Sequence, residues 1–270
     1  MGARPPAARA TELEERLQSA RSGGRKLFVP YLTAGLPTPQ RFVDLIAELS
    51  GIADAIEVGV PFSDPVMDGP VIQAASTQAL QSGISIERSF ELIRNARRYA
   101  EVPLVAMTYY NPVHALGAEH FAESLRQAGA SGMIVPDLPF EESAELREAL
   151  APRGMALVQL IAPTTSLERA AMLARGSSGF IYAVSRLGVT GEQEALSSAA
   201  MGLVVRIRPH TRLPVLLGVG ISSGASASAA ARLADGVIVG SALVKRVLAD
   251  DAAGVSALAR EIRRALDQLH

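Results

Sequence analysis

The sequence predicts an α/β chain folded as a (β/α)8 TIM barrel with an extra N-terminal helix. Three observations carry this. Eight short apolar segments recur along the chain, helical patterns lie between them, and no break in composition divides the 270 residues. The length suits one such barrel, so residues 1–270 read as a single domain. An open doubly wound sheet made of the same elements is the competing arrangement.

The opening MGARPPAARA, residues 1–10, is basic and Pro-rich and reads as a disordered lead-in. Thr11 and Glu14 have capping-box spacing, which predicts a short helix to about Ser22 with Leu13 and Leu17 on one face. Strand candidates then begin at Lys26 (KLFVPYL), Asp54 (DAIEVGV), Pro103 (PLVAMTY), Gly132 (GMIVPDL), Met155 (MALVQLI), Gly179 (GFIYAV), Pro214 (PVLLGVG) and Asp235 (DGVIVG). They are mostly apolar throughout, as parallel strands buried on both faces are. Thr38 and Pro39 read as N-cap and first residue of a helix that buries Phe42, Leu45, Ile46 and Leu49. Pro70 opens another helix, which Gly83 stops, and Ile86, Phe90 and Ile93 mark the next. Leu146 with Leu150, and Leu167 with Ala171, serve two more. Val255, Leu258, Ile262 and Leu269 mark a terminal helix.

Composition excludes several functions. A formal net charge of −1 lacks the basic excess of a nucleic-acid binder. The absence of cysteine removes disulfides, thiol nucleophiles and thiolate metal sites. The four histidines lie far apart and form no ligand spacing, so no metal is expected. No apolar run approaches the ~20 residues of a membrane span, and the start lacks the apolar core of a secretory signal. A cytoplasmic protein is the expectation.

Barrels of this kind carry their chemistry at the carboxyl ends of the strands. The second strand holds the acid Glu57 and runs into a Pro-rich loop with Asp64 and Asp68. Glu57 reads either as a core acid paired with a lysine or as a proton-transfer group whose pKa burial has raised. Asp64 reads as a turn residue before Pro65. Asp68 reads as a turn residue, a helix N-cap or a second acid. Tyr182, at the sixth strand end, reads equally as packing or as a site residue. Asp137, between two prolines, reads as a turn or supporting residue. The seventh and eighth strand ends, GVGISS and GSALVK, place Gly220, Gly240 and Ser241 where backbone N–H groups and a helix start would hold a phosphate. Tight turns are the other reading of those glycines. No GxxxxGK[ST] loop is present, which argues against a nucleoside triphosphate.

PYLTAGLP, IEVGVPFSDPVMDGP, MTYYNPV, VPDLPFEES, IAPTT, YAVSRLGVTG, LLGVGISS and ADGVIVGSALVK together resemble, in order, the tryptophan synthase alpha subunit family. EVGVPFSDP followed by DGP is the most specific part. The resemblance implies retro-aldol cleavage of indole-3-glycerol phosphate to indole and glyceraldehyde 3-phosphate, with no cofactor in this chain. It implies that Glu57 is the acid/base, that Asp68 holds the indole N–H and that Tyr182 stands beside the glutamate. Gly191, Gly220, Gly240 and Ser241 fall in its phosphate-binding segments. Arg186 to Gly191 match its mobile loop, with Thr190 contacting Asp68. It further implies a partner, a beta subunit carrying pyridoxal phosphate, in an alpha2-beta2 heterotetramer. Pro61, Phe62, Tyr110, Pro112, Pro139 and Phe140 read as an apolar rim for that partner. A stand-alone lyase and a catalytically idle allosteric subunit are the rival readings; the presence of both Glu57 and Asp68 counts against the idle one. Two departures stand out: Leu36 replaces the Asp of TAGDP at what reads as a surface loop, and Met67 replaces a small residue before Asp68.

Overall fold

The computed structural model describes residues 10–184, 193–218 and 220–269. Eight strands, β1 (Leu27–Thr33), β2 (Ile56–Gly59), β3 (Leu104–Met107), β4 (Gly132–Ile134), β5 (Ala156–Ile161), β6 (Ile181–Val184), β7 (Val215–Gly218) and β8 (Gly236–Val239), close a barrel in chain order. Every neighbouring pair is parallel, and β8 closes on β1 through Leu27–Gly236 and Val29–Ile238. Each predicted strand segment overlaps one of these strands, and the closure of the barrel sets the open-sheet alternative aside.

Two apolar layers follow from strand alternation. Inward residues Leu27, Val29, Ala55, Val105, Ile134, Val158, Phe180, Leu216 and Ile238 fill the lumen. Outward residues pack against the helices. The helix Glu12–Ser22 plugs the amino end of the lumen with Leu13 and Leu17. Its predicted capping box forms only half-way. Thr11 accepts from the Glu14 N–H at 3.2 Å, while the Glu14 carboxylate faces the Gly179 backbone and the Gln18 amide.

The helix Pro39–Ser50 has Thr38 as its N-cap, and Pro70–Gln81 ends just before Gly83, whose φ is +81°. The last helix stops at Asp267, short of Leu269. Leu167, the first residue of its helix, faces solvent, while Ala171 is buried as expected, together with Ala170, Leu173 and Ala174. Helices Tyr110–Leu116, Ala118–Gln127, Gln193–Ile207 and Gly224–Leu233 have no counterpart in the sequence reading.

Leu36 corrects the sequence reading. It is not a surface residue but fully buried. Gly35, at φ +82°, turns the chain back onto Ile84 and Leu92, close enough that a Cβ at Gly35 would lie 2.5 Å from Ile84 Cδ1. That tuck places an apolar side chain in the core, where an aspartate would be buried without a partner.

Candidate active site

Glu57 lies on the inward face of β2, paired in register with Tyr31 of β1 and Val105 of β3. It is 1% exposed, and among the described residues neither carboxylate oxygen has a hydrogen-bond partner. The contrast with Asp54, three residues earlier, is informative. Asp54 is also buried, but it accepts from the Phe28 N–H at 2.8 Å and pairs with Arg25 and Arg263. Asp54 is the paired core acid, so that reading does not hold for Glu57. Burial, with the nearby Asp68 charge adding to it, pushes the Glu57 carboxyl up to about 8.

Asp68 sits in the loop after β2, where its N–H closes a turn onto the Pro65 carbonyl at 3.0 Å, and it does not cap the next helix. Gly69 is the N-cap of Pro70–Gln81. The Asp68 carboxylate accepts a hydrogen bond of 3.0 Å from the Tyr109 hydroxyl. Burial raises its pKa, and the Tyr109 hydrogen bond opposes the rise by favouring the ionised form. The two acids thus differ in environment: among the described residues Glu57 has no donor and Asp68 has the Tyr109 hydroxyl. Such asymmetry pushes paired acids toward different protonation states.

Tyr109, at the third strand end, is a residue to which the sequence reading gave no role. Its hydroxyl also accepts from the Met67 N–H at 3.0 Å, and its ring stacks on Phe62 with centroids 5.3 Å apart. It therefore ties the loop after β2 to the end of β3. The available signal was strand parity, since Val105, Met107 and Tyr109 are spaced by two.

Tyr182, on β6, lies over Gly218 of β7, where a Cβ would come within 2.9 Å of its hydroxyl. Burial raises its pKa well above the ordinary value, and the charges of Glu57 and Asp68 add to the rise. Glu57, Asp68 and Tyr182 thus share one mouth of the barrel.

Gly220 and Gly240 leave neighbouring strands, each four residues beyond the register pair Leu216–Gly236. Gly220 has φ +66°. Gly240 is the N-cap of the helix Ser241–Leu248 and, among the described residues, no side chain caps its first N–H groups. The Ser222 and Ser223 N–H groups are already bonded to Ser226 Oγ, each at 3.1 Å. Gly191, Arg186 and Thr190 lie outside the described residues.

Two minor readings resolve. Asp64 is exposed and bonds to the neighbouring Ser63 hydroxyl. Asp137 accepts from the Tyr110 N–H at 2.9 Å and so secures the start of Tyr110–Leu116. The expected apolar rim holds in part: Pro139 is exposed and Tyr110 half-buried. Pro61 and Pro112 are buried, Phe62 stacks on Tyr109, and Phe140 is half-buried beside Gly176 and under the Arg147 guanidinium. Val66 (76%) and Met67 (60%) are exposed on this face as well, so the Met67 side chain points outward rather than narrowing the loop.

A family model described as tryptophan synthase alpha chain matches residues 17–268. The chain belongs to the tryptophan synthase alpha chain family. Membership implies a lyase of tryptophan biosynthesis. The chain is similar to the tryptophan synthase alpha chain of Streptomyces coelicolor, 44% identical over 258 residues, covering 93% of this chain and 95% of that one. It is also similar to the tryptophan synthase alpha chain of Deinococcus radiodurans, 43% identical over 247 residues and 90% of each chain. Among solved structures, Mycobacterium tuberculosis tryptophan synthase superposes with a TM-score of 0.87 at 37% identity, covering 96% of this chain and 99% of that one. Tryptophan synthase subunit alpha from Legionella pneumophila gives 0.86 at 33% identity, covering 96% and 100%. Among the described residues no helix is long and apolar enough to cross a membrane.

Proposed function

We propose that this chain, working as one barrel domain, cleaves indole-3-glycerol phosphate to indole and glyceraldehyde 3-phosphate by a retro-aldol reaction, with no cofactor of its own. The observation that carries the reading is the pairing of acids: a buried, unbonded Glu57 next to an Asp68 that a tyrosine hydroxyl bonds. Glu57 in its neutral form delivers a proton to the indole ring carbon that bears the side chain. Positive charge then develops on the indole nitrogen, and the Asp68 carboxylate at the N–H stabilises it. The Glu57 carboxylate takes the proton from the hydroxyl beside the ring. The carbon–carbon bond breaks, its electron pair returns to the ring, and an aldehyde forms. Glu57 ends protonated, ready for another cycle. Tyr182 stands beside Glu57 and orients it. Gly220, Gly240 and Ser241, with Gly191, hold the phosphate, and Arg186 and Thr190 belong to a loop that closes over the site, Thr190 reaching Asp68.

The direct test is incubation of the purified chain with indole-3-glycerol phosphate and no added cofactor. Indole and glyceraldehyde 3-phosphate should appear in equal amounts; no release of either, alone or with a beta subunit, would sink the reading. For the phosphate end, Gly240→Asp places a carboxylate against the uncapped helix start. It should raise KM strongly by like-charge repulsion and lost backbone access, while circular dichroism stays unchanged. A folded variant with unchanged KM would move the phosphate elsewhere.

The chain is further proposed to work with a beta subunit, which carries pyridoxal phosphate, in an alpha2-beta2 assembly. The exposed Val66 and Met67 lie on the loop that carries Asp68 and would meet such a partner. Because Met67 and Asp68 both bond Tyr109, docking there would bias the Asp68 loop toward one arrangement. Added beta subunit should stimulate indole release ~10-fold or more, about 1.4 kcal/mol in barrier height. Full activity alone, with no complex by size-exclusion chromatography, would favour the stand-alone lyase.

A further inference from the structure

Tyr31 has no part in the roles assigned above, yet it stands at the centre of the site. It is 6% exposed and lies on the inward face of β1, in register with Glu57. Its ring crosses the end of β2: a Cβ on Gly59 would fall 1.9 Å from the Tyr31 hydroxyl, so only glycine leaves room for it. On its other side, the Tyr31 Cβ lies 3.6 Å from where a Cβ on Gly240 would stand. Tyr31 therefore bridges the strand that carries the acid and the strand whose end is assigned to phosphate. Tyr182 is placed in the same way from β6, over Gly218 of β7. The four groups lie close enough to interact, since the charges of Glu57 and Asp68 act on Tyr31 and Tyr31 acts on Tyr182.

The hydrogen-bond inventory of Tyr31 is incomplete. Its hydroxyl accepts from Thr33 Oγ1 at 3.4 Å. A phenol also has one proton to donate, and among the described residues that proton has no acceptor. A buried donor left without an acceptor is costly unless a ligand supplies one. Phenylalanine would fill the same apolar space without that donor.

We propose that Tyr31 reads the substrate's three-carbon chain: its hydroxyl donates a hydrogen bond to the hydroxyl on the middle carbon, between the carbon that Glu57 acts on and the phosphate held at Gly240. The inference rests on indole-3-glycerol phosphate being the substrate. It makes Tyr31 a specificity-determining residue, because a buried donor built to meet a hydroxyl rejects a ligand that lacks it.

The test compares two ligands by calorimetry in the Glu57→Gln chain, where substrate binds without turning over. One is indole-3-glycerol phosphate; the other is the analogue lacking only the middle hydroxyl. Adding Tyr31→Phe should weaken the first ~10-fold and change the second less than ~2-fold. Equal changes for both ligands, or no change for either, would overturn the proposal. Thermal unfolding checks that the double variant is folded. If it is not, the single Glu57→Gln chain decides, since intact Tyr31 must favour the hydroxylated ligand ~10-fold over the analogue. A failure of the substrate reading looks different: the wild-type chain would release no indole at all.

Discussion

Glu57→Gln is expected to lower turnover of indole-3-glycerol phosphate by at least ~100-fold, the lower end of what a positioned acid/base contributes. The amide keeps the shape of the side chain but cannot pass a proton between ring carbon and hydroxyl. Binding of a phosphate-bearing analogue should survive, because the proposed phosphate site lies at the ends of β7 and β8 rather than at β2. The same substitution has a signature in stability. Burial raises the Glu57 carboxyl from 4.5 to about 8 in the folded chain. The folded state therefore holds a proton that the unfolded state releases. The stability this gives is full below pH 4.5 and is lost as pH rises through about 8. Thermal unfolding across that range should show the wild type losing stability relative to Glu57→Gln. Near-normal turnover in the variant would remove Glu57 from the mechanism, and parallel unfolding curves would remove its buried proton.

Asp68→Asn should lower the rate ~10²–10³-fold with only a modest loss of binding. The amide oxygen still accepts from the indole N–H, but the negative charge that opposes the developing cation is gone. That charge matters mainly in the transition state, so kcat should fall far more than KM rises. Tyr109 remains to hold the loop, since its hydroxyl bonds the Met67 N–H as well as Asp68. Steady-state kinetics paired with the affinity of an unreactive analogue separates the outcomes. Collapsed binding with an unchanged rate for bound substrate would make Asp68 a positioning residue only.

The strands were legible because each is a short apolar run buried on both faces, a pattern that survives without any knowledge of the rest of the chain. The helices after β3 were not, because Pro112 and the Gly117 junction, at φ +80°, interrupt the helical period. Glu57 was legible as a lone acid in an apolar strand. Its missing partner was not, because sequence does not tell it apart from Asp54, which Arg25 and Arg263 satisfy from distant parts of the chain. Tyr109 and Tyr31 escaped for the same reason: their hydroxyls gain meaning only once the barrel brings Asp68 and Glu57 to them. Leu36 was misread because a loop flanked by glycine and proline ordinarily faces water, whereas Gly35 tucks this one into the core.

The central claim is that Glu57 stands protonated near neutral pH, ready to give its proton to the indole ring. Infrared difference spectroscopy of wild type against Glu57→Gln, between pH 5 and 9, observes that proton directly. The account predicts a carbonyl stretch of a protonated carboxyl, present in the wild type only, that disappears with a midpoint at about 8. A spectrum in which that band is already absent at pH 6 would contradict it.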